Sequence, residues 1–442
     1  MFYLNKNTEL DAALLQKMIN KFYINVLPKL NHYKNYYDGI QAILGKSYAD
    51  SSKPCNKSVV NYCKNIVDSY AGYIATPGCI KYHSENDIED VMDILRYNDY
   101  QAEDSDLLLN ALVYGTAAEL MYIDNMGQTR FKLINPTQCF GVYDDSLTGD
   151  LMYFVRIYPV NEWDDSNTYN VDVYSDFLIK RYTMSGMNGN LTFVKDDLHY
   201  FGQCPANIMY LPDEKSIFDC VLALQDSVNE LLSAEIDDYS AFCDAYLALE
   251  GVDAETDDIT SMKENRVLLL PEGSKAYWLT KAANDAQVEN ILKRIHDSIY
   301  RISACVDFSS ETFTGGVSSG VAIRFKLSGM ETKAGKIEAV MKKALQRRVE
   351  IICGIASLKL GEEVFRDIQI TFERNVPEDV AAIVQLVNAL KGTVSDATLL
   401  GMIPGIEDAN AELEALNKQK EANMAMYGFG LESSTEEEEE EI

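Results

Sequence analysis

The sequence contains no long uninterrupted run of apolar residues. A helix needs about 18 or more such residues to span a bilayer, and no run in the chain reaches that length. The first residues, MFYLNKNTELDAALLQK, also lack the apolar segment of a secretory signal. The sequence therefore predicts a protein that stays in the cytoplasm where it is made and has no membrane partner.

Histidine is scarce, and the cysteines lack the spacing of metal ligands. The four histidines lie far apart, and none of the nine cysteines belongs to a C-x-x-C pair. Structural zinc sites use closely spaced Cys and His ligands, and an odd number of scattered cysteines is typical of a reducing compartment. We therefore predict reduced cysteines, no metal site and no cofactor.

No catalytic constellation is present in the sequence. Gly45, Lys46 and Ser47 look like the end of a phosphate-binding loop, but the preceding Gly39 is one position too early for G-x-x-x-x-G-K-S. A G-x-S-x-G motif and a locally supported Cys/His pair are also missing. The remaining acidic pairs are Asp144-Asp145, which is assigned to a turn, and Asp237-Asp238, which is assigned to a solvated helix face. The sequence predicts a protein that is not an enzyme.

Positive charge is scarce everywhere except in one region. The chain has 39 Lys and Arg against 69 Asp and Glu, a formal net charge of −30. Between Gly320 and Leu360, however, nine Lys and Arg stand against three Glu. Such a run either solvates an exposed helical face or lies near a polyanion, and the sequence leaves both explanations open.

The basic region has the period of a long helix. A polar loop, DFSSETFTGGVSSG at 307–320, leads into helix 321–360, which would be about 60 Å long, with a bend predicted at Ser328-Gly329. Its apolar stripe consists of Ile323, Leu327, Met330, Ala334, Ile337, Met341, Leu345 and Ile352. The neighbouring basic arc consists of Lys326, Lys333, Lys336, Lys343 and Arg347.

The rest of the chain predicts an α+β fold. With 47% hydrophobic residues it can bury a large core and form two or more domains. Helical patterns cover Glu9–Ile74, Asn86–Tyr97 and Ala102–Tyr114. From Ala118 to Tyr210, short alternating runs separated by turn signals predict an antiparallel sheet.

The pattern then returns to helices. One helix is predicted at 212–251 and a second at 285–306. Between them, two short strands are predicted within 252–284, with the sequences RVLLLPEG and KAYWLT. After the long helix, DIQITFERN within 361–377 predicts a strand. Further helices are predicted at 378–430, and the like-charge run of 431–442 should remain unfolded.

Several segments resemble the portal proteins of long-tailed bacteriophages, which connect the phage head to its tail. GVSSGVAIRFKLSGMETKA, followed by MKKALQRRVEII, resembles the loop and long helix of that family. The following segments also match, in the order of the family: NKSVVNYCKNIVDSYAGYIA, INPTQCFGVYDDSLTGDLMYFVRIY, ITFERNVPED and SDATLLGMIPGIEDANAELEALNKQKE. The resemblance covers roughly residues 30–420, and Met1–Leu27 adds little to it.

The resemblance implies a portal fold. In that fold, residues 1–211 form a wing, which is helical and then antiparallel β. Helices 212–251 and 285–306 form a stem pair that carries a clip at 252–284. The long kinked helix follows the channel loop, residues 361–377 return a strand to the wing, and 378–430 form a helical crown.

The resemblance also implies a function. About twelve copies would form a ring at one capsid vertex and conduct double-stranded DNA, independently of its sequence, during packaging and ejection. Expected partners are the terminase, which would supply the energy, a head-completion or adaptor protein, and the major capsid and scaffolding proteins. Because Lys and Arg contacts to phosphates supply most non-specific affinity, acidic channel walls would keep DNA passage loose.

Three groups of site residues follow from the resemblance. The channel loop comprises Ser309, Ser310, Thr312, Phe313, Thr314, Gly315, Gly316, Val317 and Ser318, which could shift as a duplex passes; a plain surface connection is the alternative. Lys326 and Lys333 are predicted to contact DNA phosphates. Contacts to partner proteins are predicted for Arg266, Tyr277 and Trp278, although Trp278 also fits a simple core position.

One alternative belongs to a different class of protein. An acidic intracellular scaffold or interaction protein could use the same long helices without forming a channel. An enzyme with an unrecognised site is a third reading. Closed rings in electron micrographs would distinguish the first two, and an ATPase assay addresses the third.

Overall fold

A computed structural model describes residues 1–50, 53–161, 167–187, 189–242, 246–250, 273–279, 285–308, 320–355, 364–374, 380–403, 406 and 409–428. The chain divides into two compact units. The first comprises Met1–Gly315 and Lys326–Asn375, and the second comprises Gly316–Phe325 and Val376–Ile442. The fold is mixed α+β, as predicted.

The helical N-terminal part of the prediction is confirmed. Asp11 caps α1 (Ala12–Lys21) by accepting a hydrogen bond from the Leu14 N–H at 2.7 Å. A π-helical turn (Phe22–Val26) leads into α2 (Leu27–Asp38), and Gly39 ends α2 with a left-handed φ of 84°. The next helices are α3 (Tyr62–Ile74), α4 (Glu89–Tyr97) and α5 (Tyr100–Tyr114).

The predicted antiparallel module is present and divides into two sheets. Its strands are β3 (Thr116–Ile123), β4 (Thr129–Ile134), β5 (Cys139–Asp144), β6 (Leu151–Pro159), β7 (Thr168–Tyr174), β8 (Leu178–Ser185), β9 (Leu191–Leu198) and β10 (Ala206–Tyr210). The six-stranded sheet has the order β1-β5-β6-β7-β8-β9, where β1 is Phe2–Leu4 and lies parallel to β5. The three-stranded sheet has the order β10-β3-β4. Leu120, Phe154 and Ala206 share one buried cluster, which joins residues from both sheets.

The first helix after the sheets is shorter than predicted. A 3-10 turn (Asp219–Val221) precedes α6, which spans Leu222–Phe242 rather than the predicted 212–251. Tyr246–Glu250, read from the sequence as the end of that helix, forms strand β11 and pairs antiparallel with β12 (Lys275–Leu279). A short apolar run such as YLALE fits either structure by its period, and a strand partner from elsewhere in the chain decides the outcome.

The second helix of the pair and the long helix are confirmed with shorter C-terminal ends. Helix α7 spans Asp285–Ser303 and α8 spans Gly320–Cys353. The predicted end of the long helix at 360 is wrong, because Gly354 and Ile355 are already non-helical; residues 356–360 lie outside the described part. The apolar stripe is buried at Leu327, Met330, Ala334, Ile337, Met341, Leu345 and Ile352, and Ile323 is half-buried.

The predicted strand after the long helix is also present. A short helix, α9 (Val364–Asp367), precedes β13 (Gln369–Phe372), which pairs antiparallel with β2 (Ile80–His83). No strand is predicted at β2, because its four residues are too few to show a period. In the second unit, the C-terminal region is helical as expected, with α10 (Val380–Leu390), α11 (Asp396–Leu400) and α12 (Ala409–Gly428). The predicted acidic tail lies outside the described residues.

Candidate functional site flanking the predicted channel loop

Some of the predicted site residues lie outside the described part of the chain, and the others lie on β12 and α8. The whole channel-loop set from Ser309 to Ser318 and Arg266 lie outside the described residues. Tyr277 and Trp278 lie on β12, where their backbones pair with Ala248 and Leu247. Lys326 is exposed on α8, and Lys333 is half-buried on the same helix. The structure therefore describes the contacts of α7 and α8, the helices on either side of the predicted loop.

The C-terminus of α7 is anchored to the protein body close to the predicted loop. The Tyr70 hydroxyl donates to the carbonyl oxygens of Ser303 at 3.1 Å and Ala304 at 3.0 Å. The Lys333 ammonium also donates to the Ser303 carbonyl, at 3.1 Å, and to the Ile217 carbonyl at 3.3 Å. Cationic and hydroxyl donors satisfy helix C-terminal carbonyls that have no partner within the helix. The contacts therefore bring α3, α7 and α8 together at the point where the loop begins.

The Lys333 ammonium is therefore held by contacts within the fold. Its ammonium lies 5.4 Å from the centre of the Tyr70 ring. Burial lowers the pKa of Lys333, because the charged form loses solvation. A phosphate contact by Lys333 would require the ammonium to leave two backbone carbonyls. The predicted role of Lys333 as a phosphate ligand therefore conflicts with the contacts that it makes within the fold.

A ladder of side chains fastens α6 to the extended segment before α3. Four α6 side chains accept hydrogen bonds from alternate backbone N–H groups at 2.6 to 3.0 Å. The pairs are Gln225 with Tyr62, Asn229 with Val60, Ser233 with Ser58, and Asp237 with Asn56. Four residues of helix rise by about 6.0 Å and two residues of extended chain by about 6.6 Å, so the two spacings match along the ladder.

The assignment of Asp237 to a solvated helix face was wrong. Its side chain is buried, and its second carboxylate oxygen accepts hydrogen bonds from the Lys46 ammonium at 3.0 Å and the Tyr48 hydroxyl at 3.3 Å. The sequence signal was present as polar residues at every fourth position, Q-x-x-x-N-x-x-x-S-x-x-x-D, on one face of α6. By contrast, Asp144 is the last residue of β5 and Asp145 lies in the bend that follows; the Asp144 carboxylate accepts hydrogen bonds from the N–H groups of Ser146 and Asp150.

Asp237 should make stability depend on pH in the acid range. Burial opposes its ionisation, but hydrogen bonds from Asn56 and Lys46 outweigh burial and lower its pKa from 3.8 to about 2. Its contribution is therefore complete above about pH 4 and lost as the pH falls through about 2. Asp237→Asn should lower the free energy of unfolding at neutral pH by about 1 to 2 kcal/mol.

The measurement is urea unfolding at a series of pH values. The difference between wild type and Asp237→Asn should shrink as the pH falls from about 4 to about 2. Glu230→Gln, at an exposed position of the same helix, is the matched control and should leave stability nearly unchanged. A constant difference across this range would show that the Asp237 charge does not stabilise the ladder.

The C-terminal half of α8 is held to the core by a cluster of buried charged side chains. The Arg348 side chain is 0% exposed, and its guanidinium donates to both carboxylate oxygens of Glu119 at 2.8 and 2.9 Å and to Asp104. The Tyr82 hydroxyl donates to Asp104 at 2.9 Å, and the Asn207 amide donates to Glu119 at 2.6 Å. The cluster joins α8 to α5, β2, β3 and β10. Although burial opposes its charge, Asp104 and Glu119 hold the pKa of Arg348 well above its usual value.

A second charged cluster ties the end of β13 to α8. The Arg374 guanidinium donates to Glu331 at 2.9 Å and to Glu338 at 2.6 Å. The Tyr73 hydroxyl also donates to Glu331, at 2.5 Å. Glu331 and Glu338 are seven residues apart and therefore share one side of α8. Because Glu350 is paired with Arg347, all three glutamates in the basic region are used within the chain.

Two classes of site are absent from the part of the chain that the structure describes. No group of three or more His, Cys, Asp or Glu side chains there could hold a metal ion. Among the same residues, no helix combines the length and the apolar character required to cross a membrane. The two charged clusters are instead contacts that position α8, and the polar ladder positions α6.

The comparisons with known proteins agree with the resemblance in the sequence. The family described as "Phage portal protein, SPP1 Gp6-like" matches residues 17–426. The portal protein of Bacillus phage SPP1 is 21% identical over 458 residues, which covers 95% of this chain and 88% of that protein. The match begins within the N-terminal segment that had contributed little to the resemblance. The chain belongs to the SPP1 Gp6-like family of phage portal proteins.

Proposed function

We propose that this chain is the subunit of a ring that forms the DNA channel at one vertex of a phage capsid. Membership of the portal family is the observation that carries the proposal. Copies of the chain would conduct double-stranded DNA during packaging and ejection. The ring would dock the terminase and the head-completion or adaptor proteins and hydrolyse no nucleotide itself. Before assembly the subunit would reside in the host cytoplasm, and afterwards in the virion.

The charge of α6 and α7 supports a loose DNA channel. Helix α6 carries five acidic residues and no basic one, and α7 carries three of each sign, so the pair has a net charge of −5 (5 + 3 acidic against 3 basic). Neutralised phosphates supply most of the non-specific affinity for DNA, so walls with few free cations would not hold a duplex in place. Acidic walls therefore suit a channel through which DNA must slide.

The anchoring of the flanking helices supports a role for the segment between them. Tyr70 and Lys333 hold the end of α7, and Arg348 holds α8 from within the core. We propose that residues 309–319 contact the passing duplex and that Lys326 makes intermittent phosphate contacts. Arg266, Tyr277 and Trp278 are proposed to contact partner proteins. Rigid supports on both sides would let the segment between α7 and α8 change shape while the body stays fixed.

Electron microscopy of the purified chain tests the ring directly. Negatively stained particles should be closed rings with a central hole wide enough for a duplex, about 20 Å or more across. Size-exclusion chromatography with light scattering should give the mass of a multimer of the 49.6 kDa chain. A stable monomer in every buffer, with no rings even when capsid proteins are supplied, would favour the scaffold alternative instead.

A further inference from the structure

The structure separates the basic residues of α8 from Lys333 to Arg348 into two groups. Arg348 is buried with its carboxylates, and Lys333 is bound to backbone carbonyls. Arg347 donates to Gln203 at 2.7 Å and to Glu350 at 2.8 Å. A second group consists of Lys336, Lys342 and Lys343, which are exposed and have no ion pair with any residue that the structure describes. The described part of one chain therefore supplies no ion pair for these three lysines.

The three lysines border one exposed face of α8. Lys336 and Lys343 are seven residues apart and lie almost in line, and Lys342 flanks the same face. Between them lie Gly335 and Ala339, which are exposed as well. A Cβ atom added at Gly335 would meet nothing within 4 Å. Small residues between lysines allow another protein surface to approach closely enough for charge pairing.

The same chain also has an acidic surface, whose charge is opposite to that of the lysine face. The segment Glu85–Asp99, which includes α4, contains six acidic residues and one arginine, a net charge of −5 (6 − 1). That arginine, Arg96, is paired with Glu89 at 2.6 Å and Asp93 at 2.8 Å. The remaining carboxylates are exposed and have no cationic partner among the described residues; they include Glu85, Asp87 and Asp90.

The two surfaces cannot readily meet within one chain. Arg348 points from α8 towards Asp104 of α5, and α4 packs against α5 and β4. At 100° per residue, Lys336 and Lys343 lie about 120° to 140° around α8 from Arg348. The lysine face is thus directed away from the side on which α5 carries α4. A complementary surface that lies on the other side of the subunit can be reached by a second copy.

We propose that the face bordered by Lys336, Lys342 and Lys343 of one copy binds the acidic surface Glu85–Asp99 of the neighbouring copy. This inference rests on the proposed ring. Two different surfaces that bind head to tail form a closed ring when the rotation between copies closes, so each copy would use both surfaces at once. Complementary charges would also set the register of neighbours and disfavour wrong contacts.

DNA is the other polyanion that three lysines could contact. Three fixed phosphate contacts from every copy would give a ring many simultaneous contacts, and each contact adds to non-specific affinity. Such a ring would hold a duplex, which conflicts with the sliding that packaging requires. Because the chain carries both the lysine face and an acidic surface of opposite charge, a neighbouring copy is favoured over DNA as the partner of the three lysines.

Reversing the charge of either surface tests the proposal, and combining the two reversals should restore the binding between copies. The basic-face variant carries Lys336→Glu, Lys342→Glu and Lys343→Glu, and the acidic-face variant carries Glu85→Lys, Asp87→Lys and Asp90→Lys. Each alone should fold, as judged by an unchanged thermal transition, but need an about ten- to hundredfold higher concentration to form rings. An equimolar mixture should form rings again, because the two variants complement each other when they alternate. A chain with all six substitutions should form rings alone.

The matched control reverses three exposed lysines elsewhere and changes the net charge equally. It carries the substitutions Lys6→Glu, Lys17→Glu and Lys53→Glu and should form rings like wild type. Rings of unchanged stability in both triple variants would overturn the inference and leave the proposed ring intact. Failure of both the mixture and the six-substitution chain to recover would also overturn it. If the basic-face variant forms normal rings but its heads contain no DNA, the lysines contact DNA instead. Absence of rings in wild type would reject the proposed function itself.

Discussion

Replacing Arg348 with methionine should lower the free energy of unfolding by about 3 to 5 kcal/mol. The substitution leaves the carboxylates of Asp104 and Glu119 buried, at 1% and 0% exposure, without a cation. Breaking one partner of a buried ion pair is costly because the remaining charge stays out of water. Urea unfolding at one fixed protein concentration measures the effect, since assembly would otherwise change the apparent stability.

Two further variants identify the cause of that loss. Arg347→Met changes the preceding residue, which is half-buried and more accessible to water, and should cost less than about 1 kcal/mol. Adding Asp104→Asn and Glu119→Gln to Arg348→Met should recover part of the stability, because the buried charges are removed together. Equal losses for Arg347→Met and Arg348→Met would show that the cluster does not hold α8 in place.

Deleting Thr312–Val317 should leave rings intact and leave most heads without DNA. The deletion removes the centre of the segment proposed to touch the duplex, while the contacts of Tyr70, Lys333 and Arg348 that hold α7 and α8 remain. The assay is nuclease-protected DNA per head, in cells infected with phage that depends on the variant chain. Ring formation by the purified variant is checked separately by microscopy.

A deletion of equal length provides the control for the loop experiment. Removing Glu436–Glu441 shortens the chain by the same six residues outside the family match of 17–426. That variant should package DNA like wild type. Normal filling of heads by the Thr312–Val317 deletion would remove the loop from the packaging mechanism, and loss of rings would show that the loop is needed for assembly instead.

The long helices and the strands of the sheet module were predicted well because each has a strong period. The apolar stripe of α8 and the alternating runs of the sheet module need only their own residues to be recognised. Tyr246–Glu250 was misread because five apolar-rich residues fit either period, and its pairing with Lys275–Leu279 depends on contacts distant in sequence. The strands β1 and β2 are too short to show a period of their own.

The contacts that hold the candidate site were harder to predict. Arg348 lies seven residues after the buried Met341 and four before the buried Ile352, so its place on the apolar stripe was a usable signal. From the sequence, Arg348 is counted only among the nine cations of the basic region, because its carboxylate partners, Asp104 and Glu119, lie far away in sequence. Asp237 was misread for the same reason: its partner Asn56 belongs to an extended segment that has no strand partner and no apolar alternation.

Asymmetric electron cryomicroscopy of the DNA-filled particle would show whether this chain forms the DNA channel. We expect a closed ring of this chain at one vertex only, with duplex density running through its hole and with neighbouring copies of the chain in contact. A particle that fills with DNA and has no ring of this chain at any vertex would contradict the proposed function, as would a chain spread evenly through the shell.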